Sequence, residues 1–153
     1  METQREFRKL LELFNARRVE YLVVGGYALA HHGAPRTTGD LDLYVKPDAE
    51  NARRIVEALA AYGFGSLGLG TEDFSAPDRV VQLGVPPVRV DILTSISGVT
   101  WEEAVAGASP GTYGAVPVRY IGRTAFAKNK RAVGRNRDLA DLEALGESDN
   151  REE

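Results

Sequence analysis

An α/β or α+β domain is predicted by three observations. Helix-period and strand-period segments alternate along the chain, 43% of residues are hydrophobic, and 153 residues make one domain of ordinary size. There are 19 Lys and Arg against 22 Asp and Glu, a net charge of −3, which removes the strongest electrostatic case for duplex DNA as an obligatory partner. The absence of cysteine excludes a disulfide framework, thiolate zinc sites and thiol catalysis, and fits a reducing interior. No apolar run approaches the roughly 20 residues of a membrane span, and the opening METQREFRKL is too polar for a secretory signal. The expectation is a soluble cytoplasmic protein without a membrane partner: one domain over 1–146, then a disordered acidic tail, ESDNREE, over 147–153.

Phe7, Leu10, Leu11 and Phe14 recur at helical spacing among charged residues, which predicts an amphipathic helix over 4–17 with one face on a sheet. Tyr21 to Val24 is a short strand that stops at Gly25 and Gly26, and a helix over 27–32 ends at Gly33. After the loop APRTTG, the segment DLDLYV alternates Leu41, Leu43 and Val45 with Asp40, Asp42 and Tyr44, the period of a half-buried strand. Pro47 and Asp48 open a helix over 49–62 that turns Ile55, Val56, Leu59 and Tyr62 inward. Residues 63–78 read as loop, and RVVQLG and VRVDILT as a hairpin around Pro86 and Pro87. A helix over 101–106, a strand at VPVRYI, and helices over 124–133 and 137–145 complete the elements.

The sharpest chemical signal is Asp40 and Asp42, which as i and i+2 on a strand share one face with α-carbons about 7 Å apart. Carboxylates held side by side repel unless a proton or a cation intervenes, and hard oxygen ligands at this spacing suit Mg2+ or Mn2+ completed by substrate phosphate. The plainer alternative is two acids on a solvated sheet face. Gly25 and Gly26 stand where a strand hands over to a helix, so that main-chain N–H groups can meet a phosphate. Arg36, Thr37 and Thr38 add a fork donor and two hydroxyls, for phosphate or for the loop's own turn. Asp91 is an acid in an otherwise apolar strand. It shares a face with Arg89 and Leu93, and joins Asp40 and Asp42 if the two strands are neighbours; pairing with Arg89 is the competing explanation.

Other signals carry less. Gly63, Gly65 and Gly68 spell GxGxxG but follow a helix instead of a strand, so a dinucleotide site is not expected. His31 and His32 are adjacent and cannot chelate as an i, i+4 pair, so helix-end packing or solvent is their expected place. Ser95 and Ser97 lack a nucleophile elbow, and Trp101 is expected in the core. Basic residues gather from Arg123 to Arg137, either as a solvated helix face or as a platform for a polyanion.

The string GGYALAHHGAPRTTGDLDLYV followed by VDIL resembles the nucleotidyltransferases of the DNA polymerase β superfamily. The segment AKNKRAVGRNRDLADLEAL is similar to the closing segment of small stand-alone members related to AbiEii-type toxins. The resemblance implies a small mixed sheet flanked by helices. It also implies transfer of a nucleoside monophosphate from an NTP to a hydroxyl on RNA or tRNA, a protein or a small molecule, with pyrophosphate released. Carried over, Gly25 and Gly26 would contact the triphosphate, Asp40, Asp42 and Asp91 would bind Mg2+ or Mn2+, Lys130 or Lys128 would reach phosphate, and Asp138 would match the late acidic position. Asp138 and Asp141 are equally well explained as first-turn acids of a helix. The chain lacks the large C-terminal helical region of the full toxins, so a role in a toxin–antitoxin pair, with a cognate antitoxin or other protein partner, does not follow from the resemblance alone. The competing functions are a catalytically silent, antitoxin-like module of the same fold and an RNA-binding domain, the latter without the aromatic platform such domains use.

Overall fold

The computed structural model describes residues 2–34 and 39–146. Six strands form one sheet: β1 (Tyr21–Val24), β2 (Asp40–Val45), β3 (Val80–Val85), β4 (Val88–Leu93), β5 (Ser109–Tyr113) and β6 (Val116–Tyr120), in the order β3-β4-β2-β1-β6-β5. The pairs β2–β4 and β1–β6 are parallel and the other three antiparallel, so the sheet is mixed, as expected. Helices α1 (Glu2–Ala16), α2 (Gly25–His31), α3 (Ala49–Leu59), α4 (Trp101–Ala106), α5 (Arg123–Val133) and α6 (Asn136–Ala144) flank it. No helix among the described residues is long and apolar enough to cross a membrane.

The apolar stripe of α1 is fully buried at Phe7, Leu10, Leu11 and Phe14, beside Ala52, Ile55, Ala58 and Leu59 of α3 in one core. Each such side chain contributes roughly 1.5–3 kcal/mol by leaving water. Along β2, Leu41, Leu43 and Val45 are buried while Asp40 and Asp42 are partly open. Tyr44 shares the face of the two acids yet is buried, because the Trp101 ring meets it edge-on at 5.2 Å. The acid-bearing face is therefore walled by α4 at one end and open at the other.

Several elements differ from expectation. The second helix starts at Gly25, with Gly25 at φ +71°, so the glycine pair is its first turn. Helix α3 stops at Leu59 and loosens into a wide turn, Ala60–Phe64, because Gly63 takes φ +118° and cannot continue it. The 63–78 stretch is not featureless: it holds short 3₁₀ turns at Gly65–Leu67 and Thr71–Asp73 and buries Phe74 completely. The GxGxxG string lies within these turns, away from any strand-to-helix junction. Strand β5 is an addition; Pro110 and Gly111 mask its periodicity, and the outermost position in the sheet tolerates a proline without an N–H. The β3–β4 hairpin forms as predicted, with a cis Pro86–Pro87 bond at its turn.

Candidate active site

The parallel register of β2 and β4 sets Asp42 directly beside Asp91 and Asp40 beside Arg89. Neighbours in register point to the same side of a sheet, with strands about 4.8 Å apart, so three acids from two separate stretches of chain share one face. The antiparallel pairing of β1 with β2 brings Val24 opposite Asp42, and the chain then turns sharply at Gly25. A β-carbon on Gly25 would collide with the Asp42 carboxylate. That close approach, together with the positive φ, is what the glycine serves. Gly25, Gly26, the three acids, Arg89 and Lys130 line one cleft of about 480 Å³, and Gly39, Arg135, Arg137 and Asp141 complete its wall.

Burial pushes the Asp42 carboxyl up to about 7, and the negative charges of Asp91 and Asp40 push the same way against Lys130 and Arg89. The group is poised to take either a proton or a cation. Arg89 forks onto Asp91, with Nε 3.1 Å from Oδ1 and Nη2 3.3 Å from Oδ2, and its Nε lies 3.8 Å from Asp40. Both proposals for Asp91 thus hold at once: it joins the acid cluster and it pairs with Arg89. Among the described residues no three Asp, Glu or His side chains are gathered closely enough to hold an ion as they stand.

The basic wall comes from α5 and α6. Lys130 Nζ lies 3.2 Å from both Asp138 Oδ1 and Asp141 Oδ2, with only 15% of its side chain exposed, and 5.2 Å above the Phe126 ring. Burial alone would raise the fully enclosed Asp138 carboxyl; hydrogen bonds from Arg135 and Lys130 outweigh it and hold it down at about 2. Asp138 does not line the cleft. It orients Lys130, with its Oδ2 accepting from Arg135 Nε at 2.6 Å. Lys128 points elsewhere, 2.6 Å from Glu103, and does not line the cleft. Arg36, Thr37 and Thr38 lie outside the described residues. His31 stacks on Tyr120 at 4.1 Å and His32 meets the Ile121 carbonyl at 2.7 Å, both in helix-end packing as expected.

Sequence reasoning did not single out Asp141 and Arg137 as cleft residues. Their i, i+4 spacing, which puts both on one helix face, was the available signal. A second hollow of about 490 Å³ adjoins the first through Gly25, Asp42 and Lys130, and is lined by Leu93, Ile96, Phe126 and Val133. The acids and cations thus stand beside an apolar recess.

No family model matches the chain, and no curated protein matches it. Solved structures do. The Thermotoga maritima protein TM1012, ascribed to the nucleotidyltransferases, superposes with a TM-score of 0.61 at 16% identity over 93% of this chain and 91% of its own. ANT(2″)-Ia, solved in complex with adenylyl-2″-tobramycin, gives a TM-score of 0.59 at 13% identity over 95% and 88%. An antigenic nucleotidyltransferase-like protein of Paracoccidioides brasiliensis gives 0.56 at 16% over 94% and 73%. At these identities the likeness is one of fold, and the fold is that of the nucleotidyltransferases.

Proposed function

We propose that this chain is a metal-dependent nucleotidyltransferase that moves a nucleoside monophosphate from an NTP to a hydroxyl and releases pyrophosphate. The observation that carries the reading is the register of β2 and β4, which sets Asp40, Asp42 and Asp91 on one face beside Gly25 and Lys130. The donor set is all carboxylate oxygen on one face, chemistry that suits Mg2+ or Mn2+, and an ion would draw the three acids closer together than they stand without it. When bound, such ions would supply charge neutralisation at the phosphates and acidify the acceptor hydroxyl.

The chain's own groups do the rest. The amides of the Gly25–Gly26 turn and the ammonium of Lys130 bind the triphosphate, and Lys130, fixed by Asp138 and Asp141, offsets the charge that builds on the departing pyrophosphate. In the transfer step an acceptor oxygen bonds to the α-phosphorus as the bridging P–O bond to the β-phosphate breaks. The hydroxyl proton passes to the Asp91 carboxylate or on to water. The proposed AbiEii-like kinship and a place in a toxin–antitoxin pair rest on the sequence of the closing segment, whose Lys130 and Asp138 form an ion pair. The neighbour solved with an adenylylated small molecule supports an acceptor of that class beside RNA, tRNA or protein. The proposed setting is the cytoplasm.

One observation favours a second reading, the silent module of the same fold: the Arg89–Asp91 fork satisfies an acid without any ion. Incubation with each α-labelled NTP and Mg2+ or Mn2+, with and without total tRNA, separates the two. Label transfer that disappears in Asp40→Asn and Asp42→Asn is expected of the enzyme. Variant rates equal to the parent's, or no transfer to any acceptor, would reject it.

A further inference from the structure

We propose that Arg89 is the resident counter-ion of the carboxylate cluster, holding in the substrate-free protein the place that a divalent cation takes on binding, so that its release is coupled to cation arrival. The inference rests on the metal-dependent reading of the site.

Four observations support it. The guanidinium forks side-on onto both oxygens of Asp91 and lies 3.8 Å from Asp40, so one cation spans two of the three acids. Its position is set by register: Arg89 on β4 is the direct neighbour of Asp40 on β2 and stands two residues before Asp91 on the same face. On its other flank the register partner is Gly84, which has no side chain to hold the arginine stem. Gly84 lies on β3, the outermost strand on that side of the sheet. Finally, 30% of the Arg89 side chain is exposed, so it exchanges one wet charged partner for another and breaks no core.

Three ionised carboxylates and one guanidinium sum to −2, so in the free protein Arg89 offsets only part of the acids' charge. A divalent ion in its place offsets more, leaving −1, and the released Arg89 can meet triphosphate oxygens that enter with the ion. Arg89 therefore competes with the bare cation but not with a cation that arrives with phosphate.

Mn2+ binding to the NTP-free protein at pH 8, followed by calorimetry and by the electron paramagnetic resonance signal of free Mn2+, tests this. Arg89→Met is expected to bind Mn2+ about tenfold more tightly than the parent, since one fixed positive charge leaves the site. Arg89→Lys, which keeps the charge and loses the fork, should fall between them. Thermal unfolding of each variant shows that it is folded. Equal or weaker Mn2+ binding by folded Arg89→Met overturns the counter-ion role and leaves the metal-dependent reading standing. Absence of Mn2+ binding in parent and variants alike also overturns the counter-ion role, whereas the metal-dependent reading falls only if Mn2+ neither binds with NTP nor supports label transfer.

Discussion

The carboxylate of Asp42 fills the space that a β-carbon on Gly25 would need, and Gly25 itself sits at φ +71°. Steric room and backbone freedom are thus demanded at one position, next to the group most sensitive to displacement. Gly25→Ala is expected to destabilise the protein by about 1–3 kcal/mol in urea denaturation and to lower nucleotidyl transfer about 100-fold by moving Asp42. Gly33 is the control: it has φ +100° but nothing within 4 Å of its would-be β-carbon. Gly33→Ala should carry the backbone penalty alone, and equal losses of stability and activity in the two variants would show that the close approach to Asp42 is without effect.

Asp42 makes stability fall as pH rises. Its folded-state value of about 7 exceeds the ordinary 3.8, so between those limits the folded chain keeps a proton that the unfolded chain releases. The group costs nothing below about pH 4 and its full penalty is reached above about pH 7. Asp42→Asn removes the penalty and should be about 1–3 kcal/mol more stable than the parent at pH 8, with little difference at pH 4. Denaturant midpoints at both pH values check this, and the same variant should have lost transfer activity. Stabilisation with inactivity is the signature of a carboxylate kept buried beside other acids for chemistry.

Divalent cation and proton should compete for the same oxygens. Addition of Mg2+ or Mn2+ at about ten times its dissociation constant is expected to raise the melting temperature by about 5 °C at pH 8. At pH 5.5, where Asp42 is protonated, the rise should be much smaller. A thermal shift that is independent of pH would place the ion away from Asp42.

The two lysines of α5 separate cleanly. Lys130 is enclosed by Asp138 and Asp141 at the cleft, whereas Lys128 pairs with Glu103 on the surface. Lys130→Met is expected to reduce transfer at least 100-fold, measured with α-labelled NTP, and Lys128→Met to change it less than twofold. The reverse ranking would move the phosphate site to the other face of α5.

Much of this arrangement was legible because it is written in period-2 and period-3.6 patterns. Leu41, Leu43 and Val45 fix which face of β2 is dry, and that alone turns Asp40 and Asp42 outward together; the acid in VRVDILT obeys the same rule. What was not legible depends on groups far apart in the chain. Asn51 is nearly fully buried because its side chain accepts from Glu20 N–H at 2.7 Å and donates to the Glu20 and Lys46 carbonyls, both at 3.0 Å, pinning the start of α3 to the chain beside β1 and β2. Nothing in its helical neighbours signals that. Phe74 is hidden likewise, an isolated aromatic in a glycine-rich stretch whose partners are supplied only by the fold. Strand β5 is concealed by its own Pro110 and Gly111, and the choice between Lys128 and Lys130 turns on which face of α5 meets α6.

Asp138 carries the opposite pH dependence from Asp42. Arg135 and Lys130 hold its folded-state value at about 2, below the ordinary 3.8, so its stabilising contribution is complete above about pH 4 and is lost as pH falls toward 2. Asp138→Asn keeps the shape but not the charge, and should destabilise the protein by about 1–3 kcal/mol at pH 7, after allowance for the solvent that screens Arg135. The deficit should shrink below pH 4, where the parent carboxylate itself becomes protonated in the unfolded chain. The carboxylate acts on the cleft through Lys130 and Arg135, so in the double variant with Lys130→Met only the loss carried by Arg135 should remain. A further drop that persists when Arg135→Met is added as well would mean that Asp138 meets substrate directly.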